Sequence, residues 1–327
     1  MAGDVLQQEK ELANCLVNGA AQWWFDVGGN KYNDPTLMHR LAGLVESATE
    51  ALRLDRAPVD EVAMVVDESS LCYVRVGDPI GNWFLLGMIP AVHRIGAPVA
   101  HYLVSDLPAL SDRKLFLLMT SFAPTAAHRR MVDALKRDGH VLVFFYAPGL
   151  YRAGALDEGA MEDFTGLRLR LDRTGGPLNV KLATGDRLTE GLEGLVVGAG
   201  SKVAPIAYAD DPAATPLAFY PDGRVGMAVK RFGSWTAVFS GVPIFQASVL
   251  RRLAEEAGVH FYIDTEDVVW ASRELLAVCA NEGGRRTIRL PRRSDVEDLY
   301  AGQSVASGVV EFQADFAPRQ TRVFVVR

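Results

Sequence analysis

The chain of 327 residues is 49% hydrophobic and 23% charged, which is typical of a globular protein with room for two or three domains. Its formal net charge of −6 argues against a nucleic acid or an anionic membrane as partner, because phosphate binding normally requires a concentrated basic face. The three cysteines, Cys15, Cys72 and Cys279, lie far apart without CxxC spacing, so the sequence predicts neither a disulfide framework nor a zinc site.

Two features of the sequence bear on its location. Residues 1–11 carry Asp4, Glu9 and Glu11 in place of a basic start and an apolar run, so they do not have the pattern of a signal peptide. The longest apolar stretch, residues 83–89, is far shorter than the roughly 20 residues that a membrane span needs. We therefore expect a cytoplasmic protein without a membrane partner.

Residues 1–57 are predicted to form a helix, a strand and a second helix. Apolar residues recur at helical spacing over 12–20, and residues 22–27 (QWWFDV) are typical of a short buried strand. Asp34 and Pro35 then provide the N-cap and the first residue of a helix with one apolar stripe. The segment is too short to bury its aromatic residues unaided.

Residues 58–266 alternate strands with helices over the first part of their length. Near-continuous apolar runs, such as 62–66 (VAMVV), are expected for strands that are covered on both faces. The βαβ order predicts an open, largely parallel sheet with right-handed crossovers, and after Gly166 the segments become shorter and β-like. Strands are predicted at 62–67, 99–104, 114–120 and 141–146, and helices at 83–94, 125–136 and 244–257.

Residues 267–327 show no helical period and are predicted to form a small antiparallel β domain. Apolar and polar residues alternate strictly over 310–316, so one face of that strand is expected to be buried. Strands are predicted at 269–271, 275–280, 287–290, 309–316 and 321–326, which suggests a small sandwich or barrel. A cluster of arginines is interpreted as a solvated strand face: Arg285, Arg286, Arg289, Arg292 and Arg293.

One stretch of the sequence resembles a known family. Residues 23–29 (WWFDVGG), followed by Tyr32, Asp34 and Pro35, are similar to the last strand and helix of the (β/α)8 barrel in glycoside hydrolases of family 42, the β-galactosidase type. In that family a flavodoxin-like trimerisation domain and a small C-terminal β domain follow the barrel. The resemblance implies an α/β chain with three parts: a barrel remnant over 1–57, a flavodoxin-like trimerisation domain over 58–266, and an all-β domain over 267–327.

The resemblance also bears on catalysis. The family uses two glutamates about 5–5.5 Å apart, one as acid/base and one as nucleophile. They stand on barrel strands four and seven, upstream of the strand matched to residues 23–27, so no position here inherits either role. Glu9, Glu11 and Glu46 flank that strand and are not assigned to catalysis. Catalytic activity of this chain is left open, and no catalytic residue is predicted.

The sugar-facing end of the last strand provides the candidate binding residues. Alternation along a strand puts Trp24 and Asp26 on one side and Trp23 and Phe25 on the other. An aromatic ring can stack on the C–H face of a sugar, and a carboxylate can accept hydrogen bonds from its hydroxyls. Trp24 and Asp26 are therefore the predicted substrate contacts, and the alternative is that all four residues pack inside a barrel.

A second comparison, with class I glutamine amidotransferases, concerns the α/β segment. Their nucleophilic Cys sits on a sharp strand-to-helix turn, and the equivalent turn here, residues 145–150 (FYAPGL), contains neither Cys nor Ser. Residues 198–202 (GAGSK) lack the spacing of a phosphate loop, and the six histidines lack ligand spacing, so no cofactor or metal is predicted. Asp67 and Asp106 end strands at the edge where doubly wound sheets bind ligands, but helix capping is the preferred interpretation.

Three interpretations of function remain open at this point. In the first, the chain is a portion of a galactosidase that acts in assembly and sugar contact, with a galactoside-like carbohydrate, further copies of itself in a trimer and a separately encoded barrel as partners. Residues 83–86 (WFLL) are candidates for the subunit contact. In the second, it is a non-enzymatic α/β binding or scaffold protein whose first 55 residues form a helical cap. In the third, it is a hydrolase that uses new carboxylates.

Overall fold

A computed structural model describes residues 2–25, 28–29 and 31–327. No helix in this described part of the chain is long and apolar enough to cross a membrane. The helices are α1 (Ala2–Val17), α2 (Pro35–Ala51), α3 (Glu68–Leu71), α4 (Pro79–Asn82), α5 (Ile89–Val92), α6 (Ala126–Asp133), α7 (Glu158–Thr165) and α8 (Ala247–Glu256), with 3-10 turns at Lys31–Asn33 and Val104–Ala109 and a π-helical segment at Trp83–Gly87.

The strands form one eleven-stranded sheet, one five-stranded sheet and a two-stranded hairpin. They are β1 (Val62–Val66), β2 (Val99–Leu103), β3 (Leu115–Leu118), β4 (Val141–Phe145), β5 (Tyr151–Arg152), β6 (Ala155–Leu156), β7 (Leu169–Asp172), β8 (Gly176–Leu182), β9 (Val196–Val203), β10 (Ile206–Ala209), β11 (Thr215–Phe219), β12 (Val225–Arg231), β13 (Thr236–Ser240), β14 (Val268–Ala271), β15 (Leu275–Cys279), β16 (Gly284–Asp298), β17 (Gln303–Phe316) and β18 (Thr321–Val326).

The chain divides into two compact units. The helical unit contains Met1–Asp60, His93–Pro98 and His260–Arg327, and the sheet unit contains Glu61–Val92 and Val99–Val259. The first and last segments of the sequence therefore belong to one unit, although they are some 200 residues apart in the chain. The three-part division of the sequence stays a prediction.

The large sheet of the sheet unit has a parallel part and an antiparallel part. Strands β2-β1-β3-β4-β13 lie side by side in that order and pair in parallel. The apolar runs of β1, β3 and β4 are almost entirely buried, as expected for strands covered on both faces, so these predicted strands are confirmed. Beyond β13 the sheet continues antiparallel through β12, β11, β8 and β9.

The prediction that residues 83–86 form a subunit contact is wrong for Phe84. Phe84 is fully buried, and its ring lies 6.0 Å from that of Phe145 and 5.7 Å from that of Tyr146. Leu86 is 64% exposed. Phe84 and Leu86 are two residues apart, and helical winding places such residues on opposite sides, which a run of apolar letters does not reveal.

In the helical unit, α1 and α2 pack on one face of the five-stranded sheet. Leu12 and Leu16 of α1 and Leu44 of α2 share a core with alternate residues of the sheet, including Leu275 and Val323. The next residues along the same strands face the other way, into a second core on the opposite face of the sheet. The helices thus supply the apolar surface that one face of this sheet needs.

The predicted strand over residues 22–27 is wrong in its described part. Trp23, Trp24 and Phe25 have irregular backbone, and Asp26 and Val27 lie outside the described residues. A strand is held by hydrogen bonds to a neighbouring strand, and none of the described strands pairs with this segment. Apolar composition alone therefore does not make it a strand.

The C-terminal antiparallel sheet is confirmed, but its strands differ from those predicted. The five strands form one sheet in the order β14-β15-β18-β16-β17, and the suggested sandwich or barrel stays a prediction. Strand β16 spans 15 residues because it continues past Pro291, where the register with β17 shifts between Arg289 and Ser294. Proline has no N–H for the ladder, and such a bulge lets the strand pass it.

The arginine cluster of β16 is solvated only in part. Arg285 is exposed and pairs with Asp315 at 3.0 Å, and Arg289 is half-buried and pairs with Asp264 at 2.6 Å. Arg286 is buried and binds Asp267 at 2.6 Å, so the interpretation of the whole cluster as a solvated face is wrong at this residue. Strand alternation explains the difference, because Arg285 and Arg286 point to opposite faces of the sheet.

Candidate functional site

The aromatic segment between α1 and α2 places its first predicted contact residue against the protein. Trp24 is half-buried and packs on the core that the two helices share with the sheet. Its indole N–H donates to Oε1 of Gln8, and the Gln22 side chain donates to the same oxygen at 3.3 Å. The second predicted contact residue, Asp26, lies outside the described residues. Sugar contact by these two residues stays a prediction.

The neighbours of Trp24 point away from the core. Trp23 is 75% exposed and Phe25 is 63% exposed, and their rings lie 5.1 Å apart at an angle of 47°. The strict alternation of the two sides was therefore anticipated from the sequence, although the backbone here is not a strand. Exposure of two large aromatic rings side by side is uncommon on a surface that only water covers.

Helix α2 carries a second apolar surface beside its buried one. Its N-cap is Asp34, whose Oδ1 accepts from the N–H of Leu37 at 2.9 Å, so the predicted cap is confirmed. Met38 and Val45 of α2 and Leu52, its C-cap, follow one another at a spacing of seven residues, which is two helical turns. All three are about half exposed or more. We call Trp23, Phe25, Met38, Val45 and Leu52 the outer apolar surface.

The turn after β4 has the geometry of a nucleophile turn but not its chemistry. Tyr146 directly follows β4 and has a φ of 61°, a strained value for a bulky residue. The side chain is buried, its hydroxyl donates to the carbonyl oxygen of Pro205 at 2.6 Å, and burial raises the pKa of the phenol well above its usual value. A neutral, hydrogen-bonded phenol cannot act as the nucleophile that acyl transfer needs.

A buried carboxylate closes the carboxyl ends of β1 and β3. Asp67 is fully buried and caps α3, and its carboxylate accepts from the hydroxyls of Ser69 at 2.7 Å and Ser70 at 2.9 Å. His128 Nδ1 lies 3.3 Å from Asp67 Oδ2, and the Thr120 hydroxyl bonds to the Asp67 backbone. Both oxygens are occupied, which confirms the structural interpretation of this residue as a helix cap.

Two further sequence features, Asp106 and the glycine-containing segment 198–202, also have structural roles. Asp106 Oδ2 accepts from the N–H of Leu103 at 2.9 Å, so it caps the 3-10 turn as predicted. Gly198 lies on β9, paired with β8, and a Cβ added there would fall 2.3 Å from the carbonyl oxygen of Leu178. This glycine serves the close approach of two strands, and no phosphate loop is formed at residues 198–202.

The sequence interpretation missed the outer apolar surface and the link between Asp67 and His128. The spacing of Met38, Val45 and Leu52 was available as a signal, but the stronger apolar stripe of α2 concealed it. His128 stands 61 residues beyond Asp67, and no local pattern connects the two. Such contacts depend on which strand ends the topology brings together.

No protein-family model matches the sequence, and no curated protein sequence matches it. Solved structures do match the fold. The β-galactosidase of Bacillus circulans sp. alkalophilus has a TM-score of 0.65 and 16% identity over 89% of this chain and 45% of that chain. A catalytic mutant of a family 42 β-galactosidase from G. stearothermophilus has a TM-score of 0.67 and 13% identity, covering 99% and 50%.

The β-galactosidase from Rahnella sp. R3 gives a TM-score of 0.65 and 16% identity over 90% of this chain and 45% of that chain. The chain thus spans about half the length of the structures that it matches. At this level of identity the likeness is one of fold. Nearly all of the described chain has the fold found in about half of a β-galactosidase chain of the family 42 type.

Proposed function

We propose that this chain is the C-terminal portion of a β-galactosidase-like glycoside hydrolase of the family 42 type, and that it acts in oligomer assembly and sugar contact without hydrolysing alone. The observation that carries the proposal is the fold match along 89–99% of the chain to 45–50% of such enzymes. The family resemblance in the sequence also supports the proposal, because it implies the same order of parts: the end of a barrel, a trimerisation domain and a small β domain.

The proposal assigns a type to each part of the chain. Strands β2-β1-β3-β4-β13 have the order 2-1-3-4-5 of flavodoxin-like doubly wound sheets, which supports a flavodoxin-like trimerisation domain over 58–266. Residues 1–57 would be the last part of a barrel, and 267–327 the small β domain. Under this assignment the antiparallel strands beyond β13 extend the trimerisation domain.

The outer apolar surface supports assembly with further polypeptide. Trp23 and Phe25 expose two aromatic rings, and α2 has one apolar stripe inside and another outside. A helix that is apolar on two sides is typical of one that is covered on both. The proposed cover is the remainder of a (β/α)8 barrel, encoded separately or in a longer chain.

Hydrolysis is the first test of the proposal. We expect no turnover of an aryl galactoside by the 327-residue chain, because the glutamate pair that the reaction needs would be supplied by the barrel. Turnover that is lost when one of the chain's own Asp or Glu residues is replaced would instead support a hydrolase with new carboxylates.

Sugar contact is the second test. Tryptophan fluorescence of the chain is followed during a titration with galactose, for wild type, Trp24→Ala and the matched control Trp23→Ala. The proposal assigns the contact to Trp24 and Asp26, so we expect the galactose-dependent change to be lost in Trp24→Ala and kept in Trp23→Ala. Loss in the control alone would move the contact to the exposed ring pair of Trp23 and Phe25.

Oligomer assembly is the third test. We expect light scattering to give the mass of a trimer, and Leu86→Glu, at the exposed position of the Trp83–Gly87 segment, to reduce it. Phe84 is excluded as a contact because it is buried.

One observation favours the alternative, a non-enzymatic α/β binding or scaffold protein with an appended β domain. Helices α1 and α2 already cover one face of the C-terminal sheet, as a simple helical cap would. The Tyr300 hydroxyl donates to the carbonyl oxygen of Glu9 at 2.9 Å, and Arg40 binds Glu9 at 2.7 Å, which fastens that cap. A monomer that does not bind galactose would favour this alternative.

A further inference from the structure

A polar cavity in the helical unit lies apart from the aromatic segment. It has a volume of about 130 Å³. Its lining includes Lys10 of α1, the loop residue Arg94, Asp267 just before β14, Cys279 at the end of β15, and Arg319 in the turn between β17 and β18. All of these residues belong to the same compact unit. Four separate elements therefore bring charged side chains to one small space.

The charges around this cavity do not cancel. Lys10, Arg94 and Arg319 are exposed, and among the described residues none of the three has a hydrogen-bond or salt-bridge partner. Two acids also line the cavity, Glu266 and Asp267. Three unpaired cations thus face one free carboxylate, that of Glu266, if Asp267 is neutralised by a partner of its own.

Asp267 is neutralised in this way. Its carboxylate accepts from Arg286 at 2.6 Å, from the Thr265 hydroxyl at 2.6 Å and from the N–H of Asn281 at 2.7 Å. Burial alone would raise the pKa of Asp267, but these hydrogen bonds and the guanidinium hold it below its usual value. The Asp267 carboxylate is therefore ionised and fully bonded, and Arg286 balances its charge. The remaining charges of the lining are three cations and the Glu266 carboxylate, so the net charge around the cavity is positive.

Arg319 occupies a strained position in its turn. Its φ is 64°, a conformation that glycine adopts freely and that strains other residues by about 1 kcal/mol. The turn itself is closed by Gln320, whose backbone N–H donates to the carbonyl of Ala317 at 3.1 Å. Glycine would satisfy this backbone better, so the turn itself does not require an arginine.

We propose that this cavity binds a small oxyanion of multiple charge, a phosphate group that is either free or carried on a sugar. Its size suits one such group, and cations that approach from three different elements match a tetrahedral anion better than the flat edge of a carboxylate. The site is separate from the aromatic segment and does not depend on the proposed glycosidase function.

The test is calorimetric titration of the intact chain with inorganic phosphate and, in a second series, with a hexose phosphate. Wild type is compared with Lys10→Gln, Arg94→Gln and Arg319→Gly, and with Lys202→Gln, an exposed lysine on β9 of the other unit, as the matched control. We expect each cavity variant to weaken phosphate binding by about tenfold, as for loss of one charge-assisted hydrogen bond. The Lys202 control should bind like wild type.

The Arg319→Gly variant separates binding from folding. Because glycine relieves the strained φ, its thermal midpoint in phosphate-free buffer should equal or exceed that of wild type, while its phosphate-dependent rise in Tm should shrink. Tighter binding of hexose phosphate than of phosphate would identify the carried group as the ligand. Absence of phosphate binding by wild type, or equal weakening in the Lys202 control, would overturn the proposal.

Discussion

Two regions of this molecule contain aromatic rings beside a capped helix, and they differ in how many of their polar groups are hydrogen-bonded and how many of their rings are buried. At the carboxyl ends of β1 and β4, Asp67 has both carboxylate oxygens bonded and the Tyr146 hydroxyl is bound to a backbone carbonyl. Around α2, the cap at Asp34 is made, yet Trp23 and Phe25 remain exposed. The first region, called the closed region below, has its polar groups bonded within the protein. The second, called the open region, exposes apolar surface.

The role proposed above uses the second region and not the carboxyl ends of parallel strands, where doubly wound sheets usually bind ligands. The strained turn at Tyr146 keeps the geometry that a nucleophile would need, while its hydroxyl serves the fold. In the outer apolar surface, by contrast, the side chains are about half exposed or more. We therefore expect substitutions in the closed region to alter stability, and substitutions in the open region to alter association.

The largest contrast should come from two phenylalanines. Phe84→Ala removes a fully buried ring in contact with Phe145 and Tyr146, and we expect it to lower the free energy of unfolding by about 3–5 kcal/mol. Phe25→Ala removes an exposed ring and should change it by less than about 0.5 kcal/mol. Urea unfolding measures both, and equal effects would remove the distinction between the regions.

The second largest contrast in the free energy of unfolding is expected between the two N-cap residues, Asp67 and Asp34. Asp67→Ala removes the cap of α3 and leaves the buried hydroxyl of Ser70 without its acceptor, so we expect a loss of about 3 kcal/mol. Asp34→Ala removes one bond to the N–H of Leu37 and should cost about 1 kcal/mol. A loss at Asp34 as large as that at Asp67, measured in urea, would show that α2 is more tightly integrated than its exposure suggests.

A smaller effect is expected at the strained turn. Tyr146→Phe keeps the ring and leaves the carbonyl oxygen of Pro205 without its donor, which should lower the free energy of unfolding by about 1–2 kcal/mol. Tyr73→Phe is the matched control, because Tyr73 is 59% exposed. Thermal unfolding that is unchanged in Tyr146→Phe would argue that this hydroxyl has another use.

The smallest effect on stability should come from the outer stripe of α2. Replacing Met38, Val45 and Leu52 together by Gln changes exposed positions only, so the free energy of unfolding should stay within about 0.5 kcal/mol of wild type. The same variant should bind less of a hydrophobic dye and associate less with a partner that covers this surface. A Leu44→Gln control, at a fully buried position of the same helix, should instead unfold the protein.

The sequence anticipated features that depend on local chemistry. The apolar runs of β1 and β4 and the Asp34-Pro35 helix start were predicted because burial on two faces and a capping side chain leave a mark in a few adjacent residues. The alternation of Trp23, Trp24 and Phe25 was likewise visible, and Trp24 does face the core.

Features that depend on distant neighbours were not anticipated. Residues 23–25 form no strand because strand formation needs a pairing partner, and β16 runs past Pro291 because β17 accommodates a bulge. The left-handed backbone of Tyr146 has no signature in residue type, since tyrosine seldom adopts it. The cavity beside Arg319 joins residues from both ends of the chain, which only the folded unit brings together.

The most direct test of the account is the mass of the intact chain in solution, measured by light scattering over a range of concentrations. The proposed assembly role predicts three times the mass of one chain, with Leu86→Glu shifting the distribution toward monomer. A wild-type chain that stays monomeric throughout would contradict the assembly role and leave the similarity to β-galactosidases as one of fold alone.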